Sequence, residues 1–200
     1  MKNLRIIPLT LLLLFCEFSN AQDSLIKKIN SAGVRMETPW VNGKIEGVQK
    51  FFYANGFIQR ETVYKDGKLN GVSKSYYENG ILKAESLFEN NILNGLEKWY
   101  DENGKLKMEL SYVNGNKNGP EKFYYPDGKL KMEVPTINNQ MNGIVKMYYE
   151  SGNLKMETPY ISNKINGTIR VYYESGHLKS ESNYTNNKLN GTQKTYVDTK

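Results

Sequence analysis

The sequence contains a single cysteine, Cys16, and a single histidine, His177, among its 200 residues. One cysteine cannot build a disulfide framework or a cysteine-ligated metal cluster. One histidine leaves little room for imidazole acid–base catalysis or for zinc binding. We find no nucleophile beside an activating base either. We therefore predict a protein that is not an enzyme, with no catalytic residues, no cofactor and no metal, in which His177 is a solvated surface residue.

Long apolar segments are also scarce, and the only one runs from Ile6 to Phe18. Lys2 and Arg5 precede this run, and the small residues Ser19-Asn20-Ala21 follow it. That order is typical of a secretory signal peptide cut before Gln22. The run is too short for a permanent membrane-spanning helix. We predict a signal peptide over residues 1–21 and a soluble exported product.

Two alternatives to a cleaved signal peptide stay open: a retained anchor and a lipoprotein acylated at Cys16. Phe15 is bulky where a lipoprotein site has a small residue. Cleavage after Ala21 would leave a chain without any thiol, which suits an oxidising compartment. The sequence does not separate the periplasm, the cell surface and the medium as destinations.

A 24-residue repeat fills most of the remaining chain. One glycine column, one glutamate column and one column of basic residues each keep this spacing over seven positions, which chance does not produce. The columns are Gly47, Gly71, Gly95, Gly119, Gly143, Gly167, Gly191; Glu37, Glu61, Glu85, Glu109, Glu133, Glu157, Glu181; and Lys50, Lys74, Lys98, Lys122, Lys146, Arg170, Lys194. We assign residues 34–200 to the repeat array, with half repeats at both ends, and residues 22–33 to a leader or cap.

Each repeat contains two turn signals, exemplified by Asn79-Gly80 and Asn90-Asn91. Glycine and asparagine at these positions supply the positive φ angles that tight hairpins require. Aromatic and β-branched runs between the turns favour strands. The sequence therefore predicts an all-β fold, an elongated antiparallel sheet of stacked β-hairpins with two strands per repeat and about 14 strands in total.

Two-residue loops at both turns predict a definite register. Lys74 then pairs with Glu85 and Tyr77 with Leu82, while Phe88 pairs with Leu93 and Ser86 faces Gly95. Strand alternation divides these residues between two faces. The apolar face carries Tyr77, Leu82, Phe88, Leu93 and Gly95, and the other face carries Lys74, Tyr76, Lys83 and Glu85. The glycine at the start of each repeat is expected to leave room for a neighbouring aromatic ring.

The unit Gly71-Val-Ser-Lys-Ser-Tyr-Tyr-Glu-Asn-Gly80-Ile-Leu-Lys-Ala-Glu85 resembles the variant MORN repeat. Over residues 34–200 the chain is similar to bacterial proteins of the YwqK antitoxin family, which are arrays of this repeat. The resemblance implies stacked hairpins in an elongated, twisted sheet, and neutralisation of a toxin by direct binding. MORN repeats are also associated with protein scaffolding and with acidic phospholipids. No catalytic residue is carried by the repeat motif.

The candidate binding surface consists of a tyrosine column and of residues at which the repeats differ. Its members are Tyr76, Tyr100, Tyr124, Tyr148, Tyr172, Trp99 and Phe123. We predict a non-enzymatic protein-binding module or scaffold, with an antitoxin-like or immunity role as one form of it. The alternative is binding to cell-envelope glycans or anionic lipids through the tyrosine and lysine columns. A nucleic-acid partner is disfavoured by export and by the regular glutamate column.

The two ends of the predicted sheet are further candidates for contact. The end strands near Val34–Val41 and Lys188–Val197 would each present unpaired backbone groups. Edge-to-edge self-association is therefore an additional expectation.

Overall fold

A computed structural model describes residues 14–17, 23–29 and 35–198. These residues form one antiparallel sheet of 22 strands, and all of their regular secondary structure is β-strand. The predicted all-β fold of stacked hairpins is confirmed. Most of the predicted signal peptide lies outside the described residues.

The strands follow the repeat from one end of the sheet to the other. In chain order they are β1 (Leu14–Glu17), β2 (Asp23–Ile29), β3 (Arg35–Val41), β4 (Lys44–Ile45), β5 (Gly47–Phe52), β6 (Ile58–Lys65), β7 (Lys68–Leu69), β8 (Gly71–Tyr76), β9 (Leu82–Glu89), β10 (Ile92–Tyr100), β11 (Leu106–Val113), β12 (Asn116–Lys117), β13 (Gly119–Tyr124), β14 (Leu130–Ile137), β15 (Gln140–Met141), β16 (Gly143–Tyr148), β17 (Leu154–Ile161), β18 (Lys164–Ile165), β19 (Gly167–Tyr172), β20 (Leu178–Thr185), β21 (Lys188–Leu189) and β22 (Lys194–Thr195).

The segment before the repeats also joins the sheet. β2, inside the predicted leader or cap, pairs with β3 over its whole length, from Asp23 opposite Val41 to Ile29 opposite Arg35. β1, inside the predicted signal peptide, pairs with β2. The sheet thus extends beyond the half repeat that begins the array, and the prediction of an unpaired end strand near Val34–Val41 is wrong, because β2 pairs with that strand.

The Asn-Asn turns have the predicted two-residue loops. Phe88 lies opposite Leu93, and Glu89 lies opposite Ile92. Asn90 and Asn91 both have positive φ, 50° and 71°. Two consecutive left-handed residues are what a type I′ hairpin requires, and asparagine tolerates this conformation better than other side chains. The predicted pairing at this turn is confirmed.

The Asn-Gly turns differ from the prediction. Gly80 N–H donates to the Tyr77 carbonyl at 2.9 Å, and Tyr77 N–H donates to the Ile81 carbonyl at 2.8 Å. This pattern, with Gly80 at φ 84°, is a three-residue loop with a glycine bulge. The register then shifts by one, so Leu82 faces Tyr76 and not Tyr77. The pairing of Lys74 with Glu85 is nevertheless confirmed, because a second irregularity at Lys83 restores the register.

The glycine column divides the first strand of each repeat in two, except at β10, and with the added β1 and β2 this explains why more than 14 strands are found. Ser86 lies opposite Glu97, not opposite Gly95 as predicted, because residues 94–96 bulge out of the ladder. Gly95 has a φ of 129°, and a Cβ built there would lie 2.7 Å from Leu87 Cδ2. The space is therefore occupied by an aliphatic side chain and not by the expected aromatic ring. The equivalent neighbours in other repeats are Pro39, Val63, Ser111, Pro135 and Pro159.

The two faces of the sheet differ sharply in burial. We call the face of Ser73, Ser75, Ala84, Ser86 and their equivalents the inner face, and that of Val72, Lys74, Tyr76, Glu85, Leu87 and their equivalents the outer face. Among the described residues, all that are buried except Phe52 lie on the inner face: Thr38, Gln49, Thr62, Ala84, Leu110, Val134, Thr136, Val145, Thr158 and Ser180. The inner face therefore serves as the core of this single-layered sheet.

Tyrosine hydroxyls join consecutive repeats along the side of the Asn-Gly turns. Tyr77 Oη donates to the Tyr100 carbonyl at 2.8 Å, and Tyr125 Oη donates to the Tyr148 carbonyl at 2.7 Å. Tyr53, Tyr149 and Tyr173 make the equivalent bond. Asp101 replaces tyrosine at one position of this column, and its carboxylate instead accepts from the backbone N–H groups of Asn103 and Lys105 at 2.9 Å. One inter-repeat bond is thereby lost.

Restoring the ring at this position should strengthen the array. We expect Asp101→Tyr to be more stable than Asp101→Phe by about 1 kcal/mol, because only the tyrosine supplies a hydroxyl for the next repeat's carbonyl. Both variants lose the carboxylate cap and gain a ring, so the comparison isolates the hydrogen bond. Urea denaturation followed by circular dichroism measures the difference. Equal midpoints for the two variants would contradict a role for the tyrosine hydroxyls in joining repeats.

Candidate binding surface

The predicted tyrosine column lies on the outer face, where four of its five hydroxyls donate to glutamates of the sheet. Tyr76 Oη donates to Glu61 at 2.9 Å, and Tyr100 Oη donates to Glu85 at 3.0 Å. Tyr124 bonds to Glu109 at 2.6 Å and Tyr172 to Glu157 at 3.0 Å. Burial, followed by these bonds to carboxylates, raises the pKa of Tyr76, Tyr100 and Tyr124 to about 12. These tyrosines therefore hold repeats together.

The lysine column beside these tyrosines is also neutralised within the sheet. Lys50 lies 3.3 Å from Glu61, Lys98 lies 3.7 Å from Glu85, and Lys194 lies 3.1 Å from Glu181. Each basic residue of the column faces a glutamate across a strand pair, so the column presents alternating signs rather than a field of one sign. Its capacity to attract an anionic glycan or lipid is correspondingly small.

Trp99 and Phe123 lie on the inner face, in a row of apolar residues. Trp99 faces Met108, which faces Phe123 on its other side. The row continues through Met132, Met147, Met156 and Val171. Flexible methionines next to aromatic rings form an adaptable apolar surface. The seven predicted residues are thus divided between two faces.

Three of the predicted residues nevertheless come together in one groove. Trp99, Tyr100 and Phe123 line a groove of about 410 Å³ together with Tyr77, Lys83, Lys107 and Met108. Tyr76 lines a second groove of about 360 Å³, to which Trp99 also contributes. Tyr124, Tyr148 and Tyr172 line neither groove. We call the groove of about 410 Å³ the Trp99 groove.

The Trp99 groove lies where the repeat departs from its own pattern. In four repeats a lysine Nζ lies over the ring of a turn tyrosine, as Lys83 does over Tyr77 at 5.4 Å. The other three pairs are Lys131 over Tyr125, Lys155 over Tyr149 and Lys179 over Tyr173. At the position where Lys107 would meet such a ring, the chain has Asp101. Lys107, which lines the groove, therefore has no tyrosine ring beneath its ammonium group.

The groove combines an apolar floor with two positive charges. Trp99, Met108 and Phe123 supply the apolar part. Among the described residues, Lys83 and Lys107 belong to none of the ion pairs, whereas Lys50, Lys98 and Lys194 of the outer face each lie within 4 Å of a glutamate. An ammonium group beside an apolar surface suits a ligand with an apolar group next to an anionic one.

Trp99 carries a further irregularity. Its indole Nε1 is buried and has no hydrogen-bond acceptor in the part of the chain that the structure describes. A buried donor without an acceptor costs about 1–3 kcal/mol. Such a cost is typical of a position that is not optimised for stability alone.

Sequence reasoning identified Trp99, Tyr100 and Phe123 but missed Tyr77, Lys83, Lys107 and Met108. The missing signal was Asp101, the one interruption in the column Tyr53, Tyr77, Asp101, Tyr125, Tyr149 and Tyr173. A lost ring in an otherwise constant column predicts a local gap. Which side chains border that gap depends on the bulge at Lys83, which the two-residue loop did not anticipate.

Other features of the described chain show no site of this kind. His177 is exposed, and its Nδ1 lies 2.9 Å from Asp198 Oδ1, which ties the C-terminal residues to the last hairpin. Within residues 14–17, 23–29 and 35–198, no group of three His, Cys, Asp or Glu side chains could hold a metal ion. In the same ranges, no helix is long and apolar enough to cross a membrane.

Comparison with known proteins supports the repeat assignment. The family model described as "MORN repeat variant" matches residues 45–66, 69–90, 93–114, 117–138, 141–162 and 165–186. The six matches begin 24 residues apart, and each includes one turn of the Asn-Gly type and ends at the first residue of the Asn-Asn type of turn. No curated protein matches the chain.

Proposed function

Because the chain belongs to the MORN repeat variant family, we propose that it is a repeat protein that binds another protein through the Trp99 groove. The proposed partner presents an apolar or aromatic side chain next to an aspartate or glutamate. The apolar side chain packs on Trp99, Met108 and Phe123, and the carboxylate meets Lys83 and Lys107. The proposal assigns no catalytic role to the chain.

The observation that carries this proposal is the pair of lysines without carboxylate partners beside an apolar floor. On the outer face, by contrast, Lys50 pairs with Glu61 and Lys98 pairs with Glu85. An interface gains specificity from charges that find their partners only on binding. Aromatic residues such as Trp99 are common anchors of protein–protein interfaces.

Glycan or anionic-lipid binding through the outer tyrosine and lysine columns is the weaker candidate. The hydroxyls of Tyr76, Tyr100, Tyr124 and Tyr172 already donate to glutamates. Stacking on a sugar would have to use rings that are partly covered by their neighbours. Binding an anionic surface would have to overcome the glutamates that alternate with the lysines.

Export is a separate element of the proposal and rests on the sequence of residues 1–21. If the chain is exported, its partner is a protein of the periplasm, the cell surface or the medium. An antitoxin-like or immunity role, which the YwqK resemblance implies, is the case in which this partner is a toxin. The intact mass of the protein purified from an exporting host tests the cleavage after Ala21.

Selection from a library of displayed peptides tests the groove directly. The protein, purified from a host that carries the full-length coding sequence, should enrich peptides with an aromatic or aliphatic residue adjacent to an acidic one. We expect Lys83→Ala/Lys107→Ala to weaken binding of the best peptide about tenfold or more, which corresponds to about 1.4 kcal/mol. Lys155→Ala/Lys179→Ala, with lysines at the same column positions in later repeats, is the matched control and should bind normally.

Substitutions at Trp99 separate binding from folding. Trp99→Ala should abolish peptide binding, and Trp99→Phe should retain part of it because a ring still covers the floor. Equal effects of the two lysine double variants would refute the groove as the site. Enrichment of no peptide, together with retention on envelope glycans, would favour the tyrosine-column alternative.

A further inference from the structure

The outer face carries a second feature, an exposed apolar row that the groove does not use. We call it the outer stripe, and it consists of Val48, Val63, Val72, Leu87, Leu96, Pro120, Pro135, Ile144 and Pro159. Exposure reaches 42% at Val48, 39% at Val72 and Leu87, 42% at Leu96 and 47% at Ile144. Soluble monomers rarely expose a long contiguous apolar surface without a use for it.

The outer stripe is nearly continuous across the hairpins. Within hairpins, Val72 lies opposite Leu87 and Ile144 lies opposite Pro159. Between hairpins, the stripe crosses the glycine column, since Pro135 lies against Gly143. Ser111 is the one polar interruption before Thr168. The stripe crosses about ten long strands and is therefore about 45 Å long.

The charged row beside the outer stripe has no net charge. It contains seven basic residues, from Lys50 to Lys194, and seven glutamates, from Glu37 to Glu181. Their signs alternate from strand to strand, because each basic residue faces a glutamate. A row of this kind does not attract a strongly charged partner or an anionic membrane. The charged row is, however, electrostatically complementary to a second row in which positive and negative charges alternate in the same way.

We propose that the outer stripe is the interface through which two copies of this chain associate face to face. A two-fold axis parallel to the strands, midway between two of them, lays stripe on stripe and places every basic residue of one copy over a glutamate of the other. The contact is then isologous and closes as a dimer. It is distinct from the Trp99 groove and from the two ends of the sheet.

The size of this contact is sufficient for a stable dimer. The stripe and the charged row are separated by about 7 Å along the strands, so together they cover about 14 Å by about 45 Å, or about 630 Å² on each copy. The total of about 1,300 Å² is within the range of specific interfaces. The stripe supplies an apolar centre, and the charged row supplies a polar rim.

Sedimentation analysis of the purified protein, up to about 100 µM, tests the proposal. We expect a dimer that Leu96→Lys/Ile144→Lys converts to a monomer, with the dimer dissociation constant raised 100-fold or more. Both side chains are exposed, so the variant should keep the wild-type circular dichroism and melting temperature. Phe57→Lys/Leu189→Lys, at exposed apolar positions away from the stripe, is the matched control and should remain dimeric.

Each other outcome overturns the proposal. A wild-type protein that is monomeric at the highest concentration refutes it outright. A dimer that persists in Leu96→Lys/Ile144→Lys places the contact elsewhere. Assemblies that grow beyond the dimer with concentration indicate pairing of the end strands instead. None of these outcomes bears on peptide binding at the Trp99 groove, so the two proposals fail independently.

Discussion

Replacing Gly95 with alanine is expected to lower the free energy of unfolding by about 3 kcal/mol or more. Two costs combine at this position. The backbone has a φ of 129°, which side chains with a Cβ rarely adopt, and the new Cβ would lie 2.7 Å from Leu87 Cδ2. The bulge that Gly95 forms also offsets the strand pairing around it, so the damage affects both neighbouring hairpins. Urea denaturation followed by circular dichroism measures the loss.

Gly152→Ala is the matched control for Gly95→Ala. Gly152 has a positive φ of 97°, but a Cβ there meets nothing within 4 Å. This variant should therefore show only the backbone cost, about 1–2 kcal/mol. Leu87→Ala in the Gly95→Ala background should recover part of the loss, because it removes the contacting methyl group. Equal losses at Gly95 and Gly152 would contradict close packing against Leu87.

The second large effect is expected in alkaline solution. Burial, the largest cause, and neighbouring glutamates raise the pKa of Tyr76, Tyr100, Tyr112 and Tyr124 to about 12, from an ordinary value of 10. Because the folded pKa lies above the unfolded one, the stabilisation is fully present below pH 10. It is lost as the pH rises from 10 to 12, since the unfolded chain releases these protons first. The urea midpoint should therefore fall steeply in that window.

Tyrosine-to-phenylalanine substitution identifies the groups responsible. Tyr124→Phe removes the hydroxyl that donates to Glu109. It should lower stability at pH 7 by about 1 kcal/mol and should make the decline above pH 10 shallower. Tyrosinate absorbance of the folded protein should rise later than that of the urea-unfolded chain. A decline that is unchanged in Tyr124→Phe would indicate that lysine deprotonation dominates instead.

The sequence predicts the architecture well because the repeat multiplies each local signal. Seven glycines or glutamates at constant spacing leave little ambiguity about period or strand direction. The pairing of Lys74 with Glu85 and of Phe88 with Leu93 follows from alternation and turn chemistry, and the structure confirms both. The all-β fold could therefore be predicted without any structural information.

The predicted strand pairings that the structure contradicts are those that depend on bulges. An Asn-Gly pair is compatible with a two-residue loop and with a three-residue loop that ends in a glycine bulge, and only the second occurs here. Likewise, a glycine at a strand start does not reveal whether an aromatic ring or Leu87 fills the space above it. Such bulges shift the strand register by one or more residues. A wrong loop length therefore leads to a wrong prediction of which residues lie opposite each other.

The candidate site was only partly predictable for the same reason. Trp99 and Phe123 depart from the repeat, whereas Tyr76, Tyr124 and Tyr172 recur in it. The recurring tyrosines have a structural role, since their hydroxyls join one repeat to the preceding one. In a repeat array the irregular positions are the better guide to a site, and Asp101 is the clearest of them.

The most direct test of the Trp99 groove uses the two indole N–H signals of the protein, from Trp40 and Trp99. In a ¹H–¹⁵N spectrum of the labelled protein, titration with the best selected peptide should shift the Trp99 signal and leave the Trp40 signal in place. Trp99→Phe assigns the two signals, and Trp40 is the internal control. Movement of the Trp99 signal alone, with an affinity that matches the binding assay, is the predicted result. An unchanged Trp99 signal at saturating peptide would contradict binding in this groove.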